Sequence, residues 1–236
     1  MIKAILFDLD GTLLPMDQDV FTRGYFGFLT KKLAPYGYAP QALIDGIWAG
    51  TAAMVKNDGS VSNEDAFWAK FAEIFGEQSL AHRPVLEEFY RVDFQQAQQF
   101  CGFNPAAAET VRLVKALDFR TALATNPIFP AYATESRIRW AGLEPEDFEF
   151  FTSYESIGCC KPNPAYFTEV AKRMGLPPEA CLMVGNDAKE DTAALDAGMR
   201  VFLLTDCLIN KDGLPLDPYP HGDFTALQSF IRGLHS

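Results

Sequence analysis

The chain has 236 residues, 48% of them hydrophobic, with no biased tract, which suffices for one large domain or for a core domain carrying an insert. Its formal net charge of −11 argues against nucleic acid or an anionic membrane surface as partner, since both are polyanions. No apolar run approaches the roughly 20 residues of a membrane span, and a first strand beginning near Ile2 leaves no room for a signal peptide.

Ile2 to Phe7 is apolar throughout, as expected of a parallel strand buried on both faces. It ends in Asp8-Leu9-Asp10-Gly11-Thr12, where Gly11 is expected to turn the chain so that Asp10 comes to lie beside Asp8. Two acids there are costly unless a cation or a reaction needs them. After Pro15 the pattern becomes helical. A first helix is expected from about Asp17, with Asp19 as N-cap, Val20, Tyr25, Phe28, Leu29 and Leu33 on the apolar face, and Gly37 as the stop.

A second helix should run from Pro40 to about Lys56, with Leu43, Ile47, Trp48 and Met54 on one side. Ser62 and Asp65 resemble a capping box opening a third helix through Phe75, closed by Gly76, and a fourth should span about Pro84 to Phe100. The aromatic residues of this stretch are read as bundle core. From Asn104 helices and strands alternate: helix 106–117, strand 120–125, helix 131–141, strand 148–152, a helix opened by Asn163-Pro164 and ended by Gly175, strand 181–184, helix 189–197, strand 200–204. An irregular Pro- and Gly-rich loop over 206–222 and a final helix over 224–234 complete the chain.

This is the pattern of an α/β protein, a Rossmann-like doubly wound parallel sheet with an inserted all-helical cap domain. The expected boundaries are 1–16 with 101–236 for the core and 17–100 for the cap. Cys101, Cys159, Cys160, Cys181 and Cys207 are odd in number, and the vicinal pair lacks metal-ligand spacing. With three scattered histidines, a zinc site is not expected. Reduced thiols and a cytoplasmic location are.

The polar residues of the strand ends form a set: Asp8 and Asp10, Thr125 and Asn126, and Asp187 with Asp191, the last two sharing a face if a helix begins there. Lys161 lies in a loop between the second and third pairs. In an open parallel sheet these groups converge outside the carboxyl ends of the strands. Clustered carboxylates with oxygen-only donors suit Mg²⁺. A cation with Lys161 would offset the charge of a phosphoryl group, and Thr125 and Asn126 could hydrogen-bond its oxygens. One aspartate could attack phosphorus while its neighbour handles protons.

Asp8-Leu9-Asp10-Gly11-Thr12, Thr125, Lys161-Pro162 and Gly185-Asn186-Asp187-Ala188-Lys189-Glu190-Asp191 resemble, in order and spacing, the four motifs of the haloacid dehalogenase-like hydrolase superfamily. The resemblance implies that Asp8 is the nucleophile, forming an aspartyl-phosphate, and Asp10 the general acid and base. It places Thr125, Asn126 and Lys161 on the phosphoryl group, and Asp8, the Asp10 carbonyl and Asp187 on Mg²⁺ with Asp191 in support.

The resemblance further implies a small-molecule phosphomonoester as substrate. Relatives that act on halides lack an acid at the position of Asp10, so its presence favours phosphatase chemistry. The alternatives are a phosphomutase acting on a sugar phosphate and a catalytically idle phospho-ligand-binding protein. The complete set of acids and lysine disfavours the second.

Overall fold

The computed structural model describes residues 1–235. At its centre is β1 (Ala4–Phe7), whose four residues are all buried. It is joined by β2 (Arg120–Leu123), β3 (Cys181–Gly185), β4 (Arg200–Leu204) and β5 (His221–Gly222). All pairings are parallel, in the order β2-β1-β3-β4-β5. The order turns back at β1, so the crevice outside the carboxyl ends of β1 and β3 is the switch point where ligands of open α/β sheets bind. Register makes these ends level, because Phe7 lies beside both Leu123 and Val184.

The helices are α1 (Gln18–Leu33), α2 (Pro40–Val55), α3 (Asn63–Phe75), α4 (Arg83–Arg91), α5 (Pro105–Ala116), α6 (Ala131–Trp140), α7 (Pro164–Arg173) and α8 (Phe224–His235). A side-chain period of two splits β1 between two cores. Ile5 and Phe7 join an apolar cluster with Val111 of α5, Ile138 of α6 and Leu227 of α8. Ala4 and Leu6 join a second cluster with Tyr166 and Phe167 of α7. Helices therefore cover both faces, as the alternating pattern of the sequence requires.

Helices α1 to α4 form the insert, and its aromatic side chains Tyr25, Phe67, Trp68, Phe71 and Phe89 are buried. Asp17 caps α1 by accepting from the amides of Asp19 and Val20, and Ser62 caps α3 by accepting from the Asp65 amide. The two connections to the insert lie side by side: Met16 bridges Cys101, and the Gly102 amide donates to the Pro15 carbonyl at 2.7 Å. No helix among the described residues is long and apolar enough to cross a membrane.

Several local expectations are corrected. Asp17, not Asp19, is the N-cap, and Val20 is 40% and Trp48 51% exposed rather than core. The fourth helix stops at Arg91 and continues as 3-10 turns over Asp93–Phe100, where the Asp93 carboxylate pairs with Lys32 of α1 at 3.0 Å. Residues 148–152 run beside β2 with only Phe151 in bridge register, although the amides of Glu149 and Thr152 donate to the carbonyls of Thr121 and Leu123. The expected helix over 189–197 is a run of turns with a short 3-10 segment, Thr192–Leu195. There the Asp187 carboxylate takes the amides of Lys189 and Glu190, as a helix cap also would, while the Asp191 carboxylate reaches back to the Asp187 amide and to Lys161. The loop after β4 is not wholly irregular either, since His221 and Gly222 pair with Leu203 and Leu204 as β5.

All five cysteines are free, and burial pushes the thiols of Cys101 and Cys160 up to about 12 and that of Cys181 up to about 11. At mildly alkaline pH these groups stay protonated and poorly nucleophilic. Ellman titration of the folded protein should leave them slow, with all five thiols reacting at once only after denaturation. Five fast thiols in the folded state would contradict this packing.

Candidate active site

The chain leaves β1 at Asp8, whose amide still donates to the Val184 carbonyl of β3 at 2.9 Å. The Asp8 side chain is 10% exposed, between two fixed donors. Lys161 Nζ donates to Asp8 Oδ1 at 2.9 Å and to Asp191 Oδ1 at 2.7 Å, and is itself 1% exposed. An ammonium carries three N–H donors, so one remains for an oxygen in the cleft. Thr12 Oγ1 lies 3.0 Å from Asp8 Oδ2 and 2.9 Å from Asn186 Oδ1, one hydroxyl proton serving two acceptors. Asn186 is held by its Nδ2, which donates to the Cys207 carbonyl at 2.7 Å.

Two glycines make this closeness possible. Gly11 has φ +86°, and a Cβ there would meet Asn186 Nδ2 at 2.3 Å; at Gly185 a Cβ would meet Asp191 Oδ2 at 2.0 Å. Both positions require the absence of a side chain.

The turn at Gly11 separates the two acids. Asp10 accepts from Arg137 of α6 through Oδ2, while its Oδ1 has no hydrogen-bond partner among the described residues. Arg137 is 0% exposed. Its Nε donates to the Ala133 carbonyl at 3.1 Å, its second terminal nitrogen reaches Thr134 Oγ1 at 3.3 Å, and its guanidinium lies 4.3 Å from the Phe129 ring centre. Sequence reasoning did not single out Arg137. The signal was present: Arg137 follows Ala133 by one turn and precedes Ala141 by another, an arginine in an otherwise buried apolar stripe.

Thr125, Asn126, Asp187, Glu190 and Asp191 line the same cleft as Asp8 and Asp10. The Thr125 carbonyl accepts from Thr152 and Tyr166, which pins the segment after β2. Asn126 donates one N–H of its Nδ2 to Glu190 at 3.0 Å, which leaves the second N–H, while its Oδ1 can only accept. Asp191 turns inward to Lys161 and to the Asp187 amide. Glu190 lines the cleft without having been singled out as a site residue, and Arg137 lies buried behind Asp10.

Charge explains the titration of the set. Burial pushes Asp8 up to about 7 against the pull of Lys161, with Asp191 and Asp10 adding to the rise. Burial likewise pushes Glu190 up to about 7, again opposed by Lys161. Burial works against the Lys161 ammonium, but Asp191 and Asp8 outweigh it and hold it above its ordinary value. Five carboxylates thus face two cationic side chains, Lys161 and Arg137.

Among the described residues no three His, Cys, Asp or Glu side chains are grouped closely enough to hold an ion alone. Mg²⁺ needs less than that, since one or two carboxylates with phosphate oxygens and waters complete its shell. Asp8 and Asp187 provide that pair on one cleft, with surplus negative charge and oxygen donors only. The residues present fit the ion.

The sequence model of the haloacid dehalogenase-like hydrolases matches residues 2–198. The chain belongs to this family. It is 28% identical over 228 residues to the glyceraldehyde 3-phosphate phosphatase of Methanothermobacter thermautotrophicus, a match spanning 91% of this chain and 93% of that one. It is 25% identical to a phosphoglycolate phosphatase of Rhodobacter capsulatus, over 99% of this chain and 98% of that one. In the longer Protein SUPPRESSOR OF QUENCHING 1, chloroplastic, of Arabidopsis thaliana, 25% identical, the match is 91% of this chain and 19% of that protein. A 2-haloacid dehalogenase structure from Pseudomonas syringae pv. Tomato superposes over the whole of both chains with a TM-score of 0.62 at 21% identity, which shows a shared fold. Among haloacid dehalogenase-like hydrolases, this chain thus combines the family fold with a buried arginine on the second aspartate.

Removing the shared counter-ion tests how enclosed the centre is. Lys161→Met leaves Asp8 and Asp191 buried without their ammonium and should cost about 3–5 kcal/mol, read as a lower urea midpoint at unchanged slope. A midpoint like that of the unaltered protein would mean that the pair is open to water.

Proposed function

We propose that the protein is a Mg²⁺-dependent phosphatase that hydrolyses a small-molecule phosphomonoester through an aspartyl-phosphate on Asp8. The observation that carries this reading is the pair of acids at the end of β1: Asp8 sits against Lys161, Asp10 is held by Arg137 with Oδ1 enclosed and unpartnered, and both residues line one cleft. A halide leaving group takes no proton, whereas an alkoxide needs one, and Asp10 is placed to give it. Relatives named as phosphatases of small molecules support the same chemistry.

In this reading Mg²⁺, held by Asp8, Asp187 and the Asp10 carbonyl, supplies Lewis-acid neutralisation of the phosphoryl charge. The chain's own residues do the rest. Thr125 and the third N–H of Lys161 hold the phosphoryl oxygens, while the donor from Thr12 orients the Asp8 carboxylate. Asp8 attacks phosphorus, the bond to the ester oxygen breaks, and Asp10 in its acid form protonates the departing oxygen. Asp10 then removes a proton from the water that attacks the aspartyl-phosphate, releasing phosphate and restoring Asp8. Arg137 is a positioning residue: it fixes the Asp10 carboxylate and offsets the negative charge that develops there as the proton leaves. Asp191 holds Lys161 in place from behind.

Asp8→Asn should abolish phosphate release from a panel of phosphomonoesters while circular dichroism and the melting curve stay close to those of the unaltered protein. EDTA should silence the unaltered enzyme and added Mg²⁺ restore it. Turnover surviving either treatment would sink the mechanism. Isomerised sugar phosphate without free phosphate would instead favour a mutase.

Arg137→Met should lower kcat by about tenfold to a hundredfold on alkyl phosphates, whose leaving oxygen needs the proton, and much less on p-nitrophenyl phosphate, whose leaving group does not. A merely structural arginine would depress both substrates alike.

A further inference from the structure

A second cavity opens off the catalytic cleft. Thr22, Trp48, Ile128 and Phe129 line both, so the space beside Asp8 and Asp10 continues into the interior between the helical insert and the sheet. Its walls come from α1, α2, α3 and α4 on one side, and from the loop after β2 with Tyr154 on the other.

The chemistry of this chamber is apolar. Phe26, Phe67, Trp68 and Phe129 supply aromatic surface. Tyr25 and Tyr90 also line it, and their hydroxyls, 2.7 Å apart, bond each other, which leaves one O–H between them. Arg83 is the one Lys or Arg among the lining residues, and its Nε has no hydrogen-bond partner among the described residues. Its guanidinium lies 4.8 Å from the Trp68 ring centre, its terminal nitrogen is 4.0 Å from Glu64, and Glu87 stands on the same wall, so two carboxylates offset its charge. A carboxylate or second phosphate entering here would lose water and meet a single guanidinium already shared with two acids. An uncharged hydrocarbon body would instead cover aromatic surface, including Trp48, which is 51% exposed at the junction of the two cavities.

We propose that this chamber binds the leaving alcohol and selects phosphomonoesters of uncharged alcohols with an aromatic or branched hydrocarbon body over short acidic or sugar phosphates. The inference rests on the phosphatase reading above, and adds the substrate class. Trp48 sits where the phosphoryl end meets the alcohol end, so it sets how well that body is gripped.

The test is phosphate release from 2-phenylethyl phosphate, phosphoglycolate and glucose 6-phosphate by the unaltered protein, Trp48→Ala and Trp48→Phe, with Asp8→Asn as the blank. The expected result is kcat/KM at least about tenfold higher for 2-phenylethyl phosphate than for the other two. Trp48→Ala should shrink that preference, mainly through KM, and Trp48→Phe should largely restore it. Equal or better turnover of phosphoglycolate or glucose 6-phosphate would overturn the substrate class and leave the phosphatase reading standing. So would a preference that Trp48→Ala leaves unchanged. Release from none of the three above the Asp8→Asn blank would overturn both.

Discussion

The Lys161 ammonium is the point on which the site depends. It is enclosed, and it bonds two carboxylates that arrive from different parts of the chain, Asp8 after β1 and Asp191 in the turns after β3. A lysine removed from water is tolerable only with such partners, and each carboxylate is tolerable only with the lysine. The constraint propagates outward. Asp191 must reach inward past Gly185, which has no room for a Cβ, and in doing so its carboxylate takes the Asp187 amide. Asp187 is thereby fixed on the rim of the cleft, where it and Asp8 form the carboxylate pair that suits a hard cation.

The second acid of the β1 end is governed by a separate cation. Gly11, at positive φ, turns the chain so that Asp10 faces α6 instead of Lys161. The two aspartates, one residue apart from being adjacent, consequently live in different fields. Asp8 shares a donor-lined nest with Lys161 and Thr12, whereas Asp10 has one oxygen bound to Arg137 and one enclosed without a partner. The division of labour proposed above, nucleophile and proton carrier, rests on this separation, since identical surroundings would give two carboxylates identical roles.

Above this centre the insert provides a wall rather than charge. Its helices are held to each other by aromatic packing, and to the sheet partly by contacts such as the guanidinium of Arg91 at 4.0 Å from the Tyr132 ring centre of α6. The Met16–Cys101 bridge ties its two connections together, so the insert joins the core through one paired crossing. What reaches the cleft from the insert is Gln18, Phe21, Thr22 and Trp48, a set without a cation, and this is why the chemistry of the leaving group is read from the insert and that of phosphorus from the sheet.

The architecture was legible in the order of residues because its signals are local and repeated: apolar strands ending in polar residues, Asn or Ser caps followed by proline or acids, glycine stops. The strand-end set Asp8, Asp10, Thr125, Lys161, Asp187 and Asp191 was legible for the same reason. Segments whose side chains bond their own backbone were not. Asp187 accepts the amides of Lys189 and Glu190, as a helix cap also would, yet turns with a short 3-10 segment follow, and β5 is two residues long, too short for any period to show. The sequence by itself determined the parallel α/β core, the helical insert and which residue types stand at the strand ends, since periodicity and spacing depend only on neighbours along the chain. The tertiary structure alone decided that Arg137, 127 positions from Asp10, is its partner, that the Asn126 amide donates to Glu190, and that Trp48 lies open at a cavity junction. Those are pairings across distant segments, and only packing brings them within reach.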